Sequence, residues 1–260
     1  MNNTLDNGLE MLMFLAGDPR PYGVSELAQA LELPPSHVHR LLQTLVAKRY
    51  VVRDDRRRYA IGVGALRLGG ALLREIPLRR IGVPVLQGLM RRSRWSAVMA
   101  VPFDDEAISL AYVAQGGRLR PTSESLGTTL GTLTTASGKL LLAMRPADER
   151  EDILSRQSFG PGEPHGYHTA ADVRRELEQI ARDRVAWRTA GPDRRPTSLA
   201  MPVGDAAGPP IAVLGLTRPP RAPVPDEARC HQLQCVLRDA VTRLKAETQA
   251  KETPPCPSMT

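Results

Sequence analysis

The sequence predicts an α+β protein of two domains joined by a linker helix. Three observations carry that prediction. Residues 1–62 hold three short helical patterns and then two apolar runs around Asp54-Asp55, the order of a winged helix-turn-helix. Residues 63–77 hold one further helical pattern, with Leu66, Leu72 and Leu73. From residue 78 to residue 250, helical and strand patterns alternate without an obvious repeat, as in an open sheet with helices rather than a barrel. With 260 residues and 42% apolar content, the chain can bury two cores.

Each element follows from a local signal. Leu5, Leu9, Leu12 and Met13 have helical spacing, and GDPRPYG then breaks the chain. Ser25 is placed to cap a second helix with Leu27, Ala28 and Leu31 inside. Ser36 is placed to cap a third, running to Ala47 with Val38, Leu41, Leu42 and Leu45 inside. Residues 50–52 and 58–61 read as a hairpin. In the second domain, helices are expected at 78–92, 135–144, 171–182 and 226–248. Strands are expected at 95–100, 107–113, 186–189, 197–202 and 211–217. The prolines of ETPPCPSMT bar a regular element, so 251–260 reads as a disordered tail.

Charge points to a polyanion. The chain carries 35 Lys+Arg against 28 Asp+Glu, a net +7. From His37 to Arg67 alone there are eight basic residues and two acids, a net +6. A third helix that keeps its apolar stripe inside presents Ser36, His37, His39, Arg40 and Gln43 on its other face. Arg40 or Gln43 suits a bidentate contact with a base edge in the major groove of double-stranded DNA; Ser36 and His39 suit phosphate. Arg53, Arg56, Arg57 and Arg58 would meet phosphates from the hairpin. The bland alternative is a solvated charged hairpin, with His37 and His39 as bystanders. A lone H-x-H is no complete metal ligand set, and nothing in the sequence asks for a cofactor.

The same residues exclude other classes. No run reaches the ~18 apolar residues of a membrane span. The opening MNNTLDNGLEMLMFLA lacks a basic region and contains Asp6 and Glu10, which argues against a signal peptide. Three cysteines, Cys230, Cys235 and Cys256, make no disulfide framework. A cytoplasmic protein is expected.

The runs VSELAQALELPPSHVHRLLQTLVAKRYVVRDD and RYAIGVGALRLG, with GTLTTASGKLLLA at 131–143 and LAMPV at 199–203, resemble the IclR family of bacterial transcriptional regulators. That resemblance covers residues 5–248. It implies a GAF-like mixed α/β domain holding a small organic effector, often a carboxylate or an aromatic intermediate. It also implies a homodimer or dimer of dimers on a palindromic operator, acting as repressor or activator. The linker helix and first domain would carry much of the subunit pairing.

Within the second domain, Thr134, Thr135, Ala136, Ser137 and Gly138 open a helix, with Thr135 or Ser137 as its cap. Small residues make room for a ligand there, and a helix start can leave backbone N–H groups for an anion. The other reading is a tightly packed helix start. Gly131…Gly138-Lys139 is not a phosphate-binding loop: six residues separate the glycines where four are needed, and Leu140 follows. The second effector candidate is 187–201, with Trp187 and Ser198. The family usually has an acidic pair here and then a Cys-Ile-Ala-Ala-Pro-Val-like strand. This chain has Trp187-Arg188-Thr189 and Arg194-Arg195, with only Asp193 acidic and Ser198 at the cysteine position. Those residues suit a carboxylate or phosphate better than a cation, or else form a solvated loop.

His165 and His168 beside Glu163, and Cys230 with Cys235, lack the partners of a metal or redox site. Trp95 and Trp187 are candidates to line the pocket, although an aromatic in a strand is more often plain core. No nucleophile elbow or paired carboxylates support an enzyme. The alternatives to a ligand-responsive regulator are one whose second domain only dimerises, and an enzyme using the same pocket.

Overall fold

The computed structural model describes residues 3–18, 20–116, 126–190, 195–205 and 208–252. The chain divides into two units, Met1–Pro77 and Leu78–Thr260.

In the first unit, α1 (Asn3–Gly17), α2 (Val24–Ala30) and α3 (Pro35–Ala47) enclose Met11, Leu15, Leu27, Val38 and Leu42. The antiparallel hairpin of β1 (Val51–Arg53) and β2 (Tyr59–Ile61) closes this core with Val51 and Tyr59. Tyr59 also exchanges two backbone hydrogen bonds with Tyr22, at 2.7 and 2.8 Å, so the loop after α1 holds the hairpin. Of the residues whose spacing predicts α1, only Leu12 packs against this core. The helix buries Met11 and Leu15 and leaves Leu5, Leu9 and Met13 exposed.

Both serine caps are corrected. At α2 the Gly23 N–H donates to Glu26 Oε2 at 2.7 Å, so a glutamate reaching back from the first turn does the capping and Ser25 lies inside the helix. α3 begins with Pro35, which has no N–H to leave unpaired and a φ already suited to a helix; Ser36 follows it and caps nothing. After the hairpin, Gly62 crosses the end of α3 so closely that a Cβ would lie 2.6 Å from the Arg49 carbonyl oxygen. Only glycine fits, and α4 (Gly64–Glu75) starts there.

α5 (Pro77–Ser93) starts at the boundary and all but its first residue belong to the second unit, followed by β3 (Ser96–Phe103) and β4 (Glu106–Val113) around the Asp104-Asp105 turn. There follow β5 (Thr129–Leu130), α6 (Ala136–Ala143), α7 (Ala147–Ser155), α8 (Ala170–Asp183), β6 (Ala186–Ala190), β7 (Arg195–Val203), β8 (Ala212–Thr217) and α9 (Glu227–Glu252). The strands form one sheet, β5-β4-β3-β8-β7-β6, antiparallel at every step. The chain is identified as α+β in this arrangement, a helical winged unit followed by a helix-covered sheet.

Alternation along the strands assigns the two faces. Val98, Gly215 and Ala200 pair across β3, β8 and β7, and α6 and α8 cover that face with Leu140, Leu177 and Ile180. Met99 points the other way, against Gly82 of α5. α9 packs on β7 and β8.

Two elements carry no sequence expectation. β5 is two residues long. α7 does have a signal: Pro146 precedes it, Asp148 and Glu149 fill its first turn, and Ile153 and Leu154 are its buried residues. α9 runs to Glu252, four residues past its expected end, and takes the first two residues of the expected tail. Residues 253–260 lie outside the described residues. No described helix is long and apolar enough to cross a membrane.

Candidate nucleic-acid interface and effector pocket

α3 buries Val38, Leu41 and Leu42, and this turns Ser36, His39, Arg40 and Gln43 into solvent. His37 is different. It is half-buried, with Nε2 3.2 Å from the Asn7 side-chain amide of α1 and Nδ1 accepting from Arg40 NH2 at 3.0 Å.

The hairpin tip is built by Asp54. Its Oδ1 accepts the Arg56 N–H at 3.0 Å and the Arg58 N–H at 2.8 Å, and its carbonyl accepts the Arg57 N–H at 3.0 Å. This Asx-type closure holds Arg57 in the left-handed region, φ 61°. One of the two acids in the basic stretch is therefore a turn former. Arg56 and Arg57 are exposed, and Arg53 lies over the Tyr59 ring at 5.6 Å.

Arg58 stands apart from the other wing arginines. Its NH2 donates to Glu26 Oε2 at 2.8 Å, and its Nε is buried without a partner among the described residues. Glu26 also takes Arg20 NH1 at 3.1 Å, and Arg20 in turn covers the Tyr22 ring at 3.9 Å. The Gly23 N–H first, then Arg20, hold the Glu26 carboxyl below its ordinary pKa. The sequence reading missed Glu26 and Arg20, because nothing local reports a contact made 32 residues away.

In the second unit, Thr135 is the N-cap of α6. Its Oγ1 accepts the Gly138 N–H at 2.9 Å and donates to the Gly131 carbonyl at 3.0 Å. Ser137 is not the cap; it is buried with Ala136 and Gly138. A Cβ at Gly138 would lie 2.8 Å from Thr132 Cα, so this glycine serves close packing. Of the N–H groups at this helix start, that of Gly138 is used by the cap and is not left for an anion. Thr134 is half-buried beside it.

The sheet supplies a better polar surface. On the α6 face, Arg188 pairs with Ser198, Ser198 with Thr217, and Thr217 with Ser96, one row across four strands. No acid stands in that row. The next row is Ala186, Ala200, Gly215 and Val98, and a Cβ on Gly215 would lie 3.4 Å from Ser137 Oγ. The small residues of this row let α6 pack close to the sheet beside the polar, basic row. Ser198 and Ser137 share this face. Trp187 pairs with Leu199 and points to the other one, so the structure separates it from them. Ser96 and Thr217 were missed in sequence because alignment across strands is not visible along the chain. Asp193 and Arg194 lie outside the described residues.

Behind this row, Lys139 is buried. Its Nζ donates to the Trp187 carbonyl at 2.6 Å, to Tyr167 OH at 3.2 Å and to Glu176, and Tyr167 OH donates to Glu176 Oε2 at 2.8 Å. The cluster ties α6, α8 and edge strand β6 together. A cavity of about 720 Å³, lined by Met144, Arg145, Pro146 and Pro209 among others, contains none of the expected effector residues. His165 uses both ring nitrogens within its loop, taking the Tyr167 N–H at 3.1 Å and bonding the Ser158 carbonyl at 2.9 Å. Burial raises the Cys230 thiol pKa, which makes it a poorer nucleophile.

Residues 4–55 match the model of the IclR helix-turn-helix domain, and residues 70–245 match that of the bacterial transcriptional regulator IclR C-terminal domain. The chain belongs to the IclR family. It is a DNA-binding transcriptional regulator. The glycerol operon regulatory protein of Streptomyces coelicolor is 28% identical over 219 residues, 82% of this chain and 84% of that one. An IclR family transcriptional regulator of Brucella abortus has the same fold at TM-score 0.74 and 26% identity, covering 95% of this chain and 92% of that one. An IclR homolog of Microbacterium hydrocarbonoxydans, solved in complex with 4-hydroxybenzoate, matches at TM-score 0.72 and 21% identity, covering 95% of this chain and 99% of that one.

Proposed function

We propose that this IclR-family regulator binds a palindromic operator as a homodimer or dimer of dimers, and that a small organic carboxylate in its second domain changes operator affinity. It acts in the cytoplasm as a sensor rather than an enzyme. Residues 1–62 bind DNA, 63–77 link, and 78–250 hold the effector.

The exposed polar face of α3 beside an Asp54-closed arginine hairpin carries the operator half. Arg40 and Gln43 reach base edges, while Ser36, His39, Arg53, Arg56 and Arg57 meet phosphates. His37 and Arg58 support this set from behind. Pairing is supported by apolar surface left in solvent: Leu5, Leu9 and Met13 on α1, and Val63, Leu66, Leu68 and Leu72 around α4, all between 54% and 77% exposed. Two-fold pairing doubles a small contact and makes the operator palindromic.

The row Arg188–Ser198–Thr217–Ser96 supports the effector half. One arginine and three hydroxyls suit a carboxylate. The fold can hold such a compound, as the 4-hydroxybenzoate complex of the Microbacterium homolog illustrates. Ser137 packs over Gly215 next to this row, and Thr134, Thr135, Ala136 and Gly138 build the turn that presents it. Trp187 contributes its carbonyl to Lys139. An effector that prefers one dimer geometry shifts operator affinity by its differential binding.

Footprinting the promoter region beside its own gene, with and without a panel of aliphatic and aromatic carboxylates, tests both halves. A protected palindrome, released or tightened by one carboxylate, is expected. Protection indifferent to every compound would overturn the effector half, and no protection at any promoter would overturn the operator half.

A further inference from the structure

We propose that His37 is a positioning residue for Arg40: its Nδ1 lone pair aims the guanidinium, and Asn7 fixes the imidazole tautomer that supplies that lone pair. The inference rests on the reading of Arg40 as a base-contacting residue and deepens it.

The geometry leaves one protonation pattern for the neutral ring. Arg40 NH2 lies 3.0 Å from His37 Nδ1, and a guanidinium can only donate. Nδ1 therefore carries the lone pair, and the neutral imidazole carries its proton on Nε2. Asn7 Nδ2 stands 3.2 Å from Nε2, and two donors cannot share that contact. An amide can present either oxygen or nitrogen by a half-turn, and only Oδ1 can accept from Nε2–H. The chain of bonds is then Arg40 NH2 to Nδ1, and Nε2–H to Asn7 Oδ1.

Three features make this an aiming device. His37 and Arg40 are three residues apart, neighbours on one helical face. Asn7 comes from a different helix, α1, so the ring is anchored from outside α3. His37 is half-buried while Arg40 is exposed, so the held end is shielded and the presented end is free to meet DNA. A long arginine restricted before DNA arrives loses less freedom on binding, and it meets the correct base in one orientation. The effect should fall on discrimination between operators more than on affinity for DNA in general.

Two side chains separate the two ring nitrogens. His37→Asn keeps an acceptor near the Nδ1 position and loses the Nε2 end. His37→Gln keeps a polar group near the Nε2 position and loses the Nδ1 end. The ratio of Kd for the operator and for an unrelated duplex is measured for both, and for Arg40→Ala, with melting temperature as a check on folding. His37→Gln is expected to lose about three- to tenfold in discrimination, the worth of one hydrogen bond. His37→Asn is expected to keep most of it. Equal loss or equal retention in the two variants would overturn the proposal. Arg40→Ala tells which idea has failed: if it loses discrimination, the base-contact reading stands and only the role of His37 falls; if it discriminates like wild type, the base-contact reading itself falls. The imidazole 15N spectrum of the free wild-type protein is a second test that needs no variant. Nδ1 is expected as the unprotonated nitrogen, and a protonated Nδ1 would overturn the proposal.

Discussion

Arg58 NH2 donates to Glu26 Oε2 at 2.8 Å, joining the hairpin to the first turn of α2 across 32 residues of chain. Among the described residues, Arg56 and Arg57 have no such side-chain tie, and both stand exposed at the tip. Three arginines that look alike in the sequence therefore have different work. Arg56→Ala and Arg57→Ala should each weaken binding to all DNA and flatten the dependence of log K on log salt by about 0.9, one phosphate contact. Arg58→Ala should change the slope less and loosen the hairpin instead. Salt titrations of the three variants check this, and equal slopes would remove the distinction.

The same tie has a pH signature. The Gly23 N–H, then Arg20, lower the Glu26 pKa from its ordinary 4.5. A carboxylate with a depressed folded-state pKa contributes stability in full above the unfolded value, and loses it as pH falls through the folded value. The anchor should therefore hold at neutral pH and release only below 4.5. A carboxyl 13C titration of Glu26 should give a midpoint below that value, and wild-type protein and Glu26→Gln should converge in hairpin order at acid pH.

Arg40 and Gln43 share the exposed face of α3 with Ser36 and His39. Replacing either by alanine should relax preference among operator variants by about 1–3 kcal/mol, the worth of a good bidentate base contact. Unchanged preference in a competition assay would remove that residue as a base reader.

Arg188 carries the only formal charge in the polar row of the sheet, opposite Ser198. Arg188→Ala should weaken a carboxylate effector by about 1.5–3 kcal/mol and leave operator affinity without effector unchanged. Calorimetry with the effector found by footprinting measures the first, and anisotropy on operator DNA the second.

Lys139 is 5% exposed and bonded to Glu176, Tyr167 and the Trp187 carbonyl. Lys139→Met should destabilise the second unit by about 3 kcal/mol, because it strands a carboxylate beside the core. Adding Glu176→Gln should restore part of that loss. Denaturant melts of the single and double variants check the sign of the coupling.

The sequence carried most of the first unit and less of the second, for physical reasons. Helical spacing within α3 and the Asp-rich turn of the hairpin are local, so Arg40, Gln43, Arg56 and Arg57 were legible as one polar surface. In α1, Leu5, Leu9 and Met13 are as periodic as a core stripe yet lie in solvent, while Leu12 packs inward. Periodicity shows that a face is apolar, not what covers it. The serine caps failed where Pro35 and Glu26 supplied other ways to start a helix. In the sheet, sequence proximity groups Trp187 with Ser198, but pairing register puts Trp187 with Leu199 and Arg188 with Ser198. One position of register exchanges the faces, and register is set by partner strands rather than by the strand itself.

The most direct test of the central claim is selection from a random DNA pool by the full-length protein at physiological salt, run beside Arg40→Ala. The account predicts a palindrome whose half-sites lie one helical turn or a multiple apart, about 10–10.5 base pairs per turn, with base preference weakened in the variant. Retention of DNA without an enriched palindrome, or the same consensus from both proteins, would contradict it.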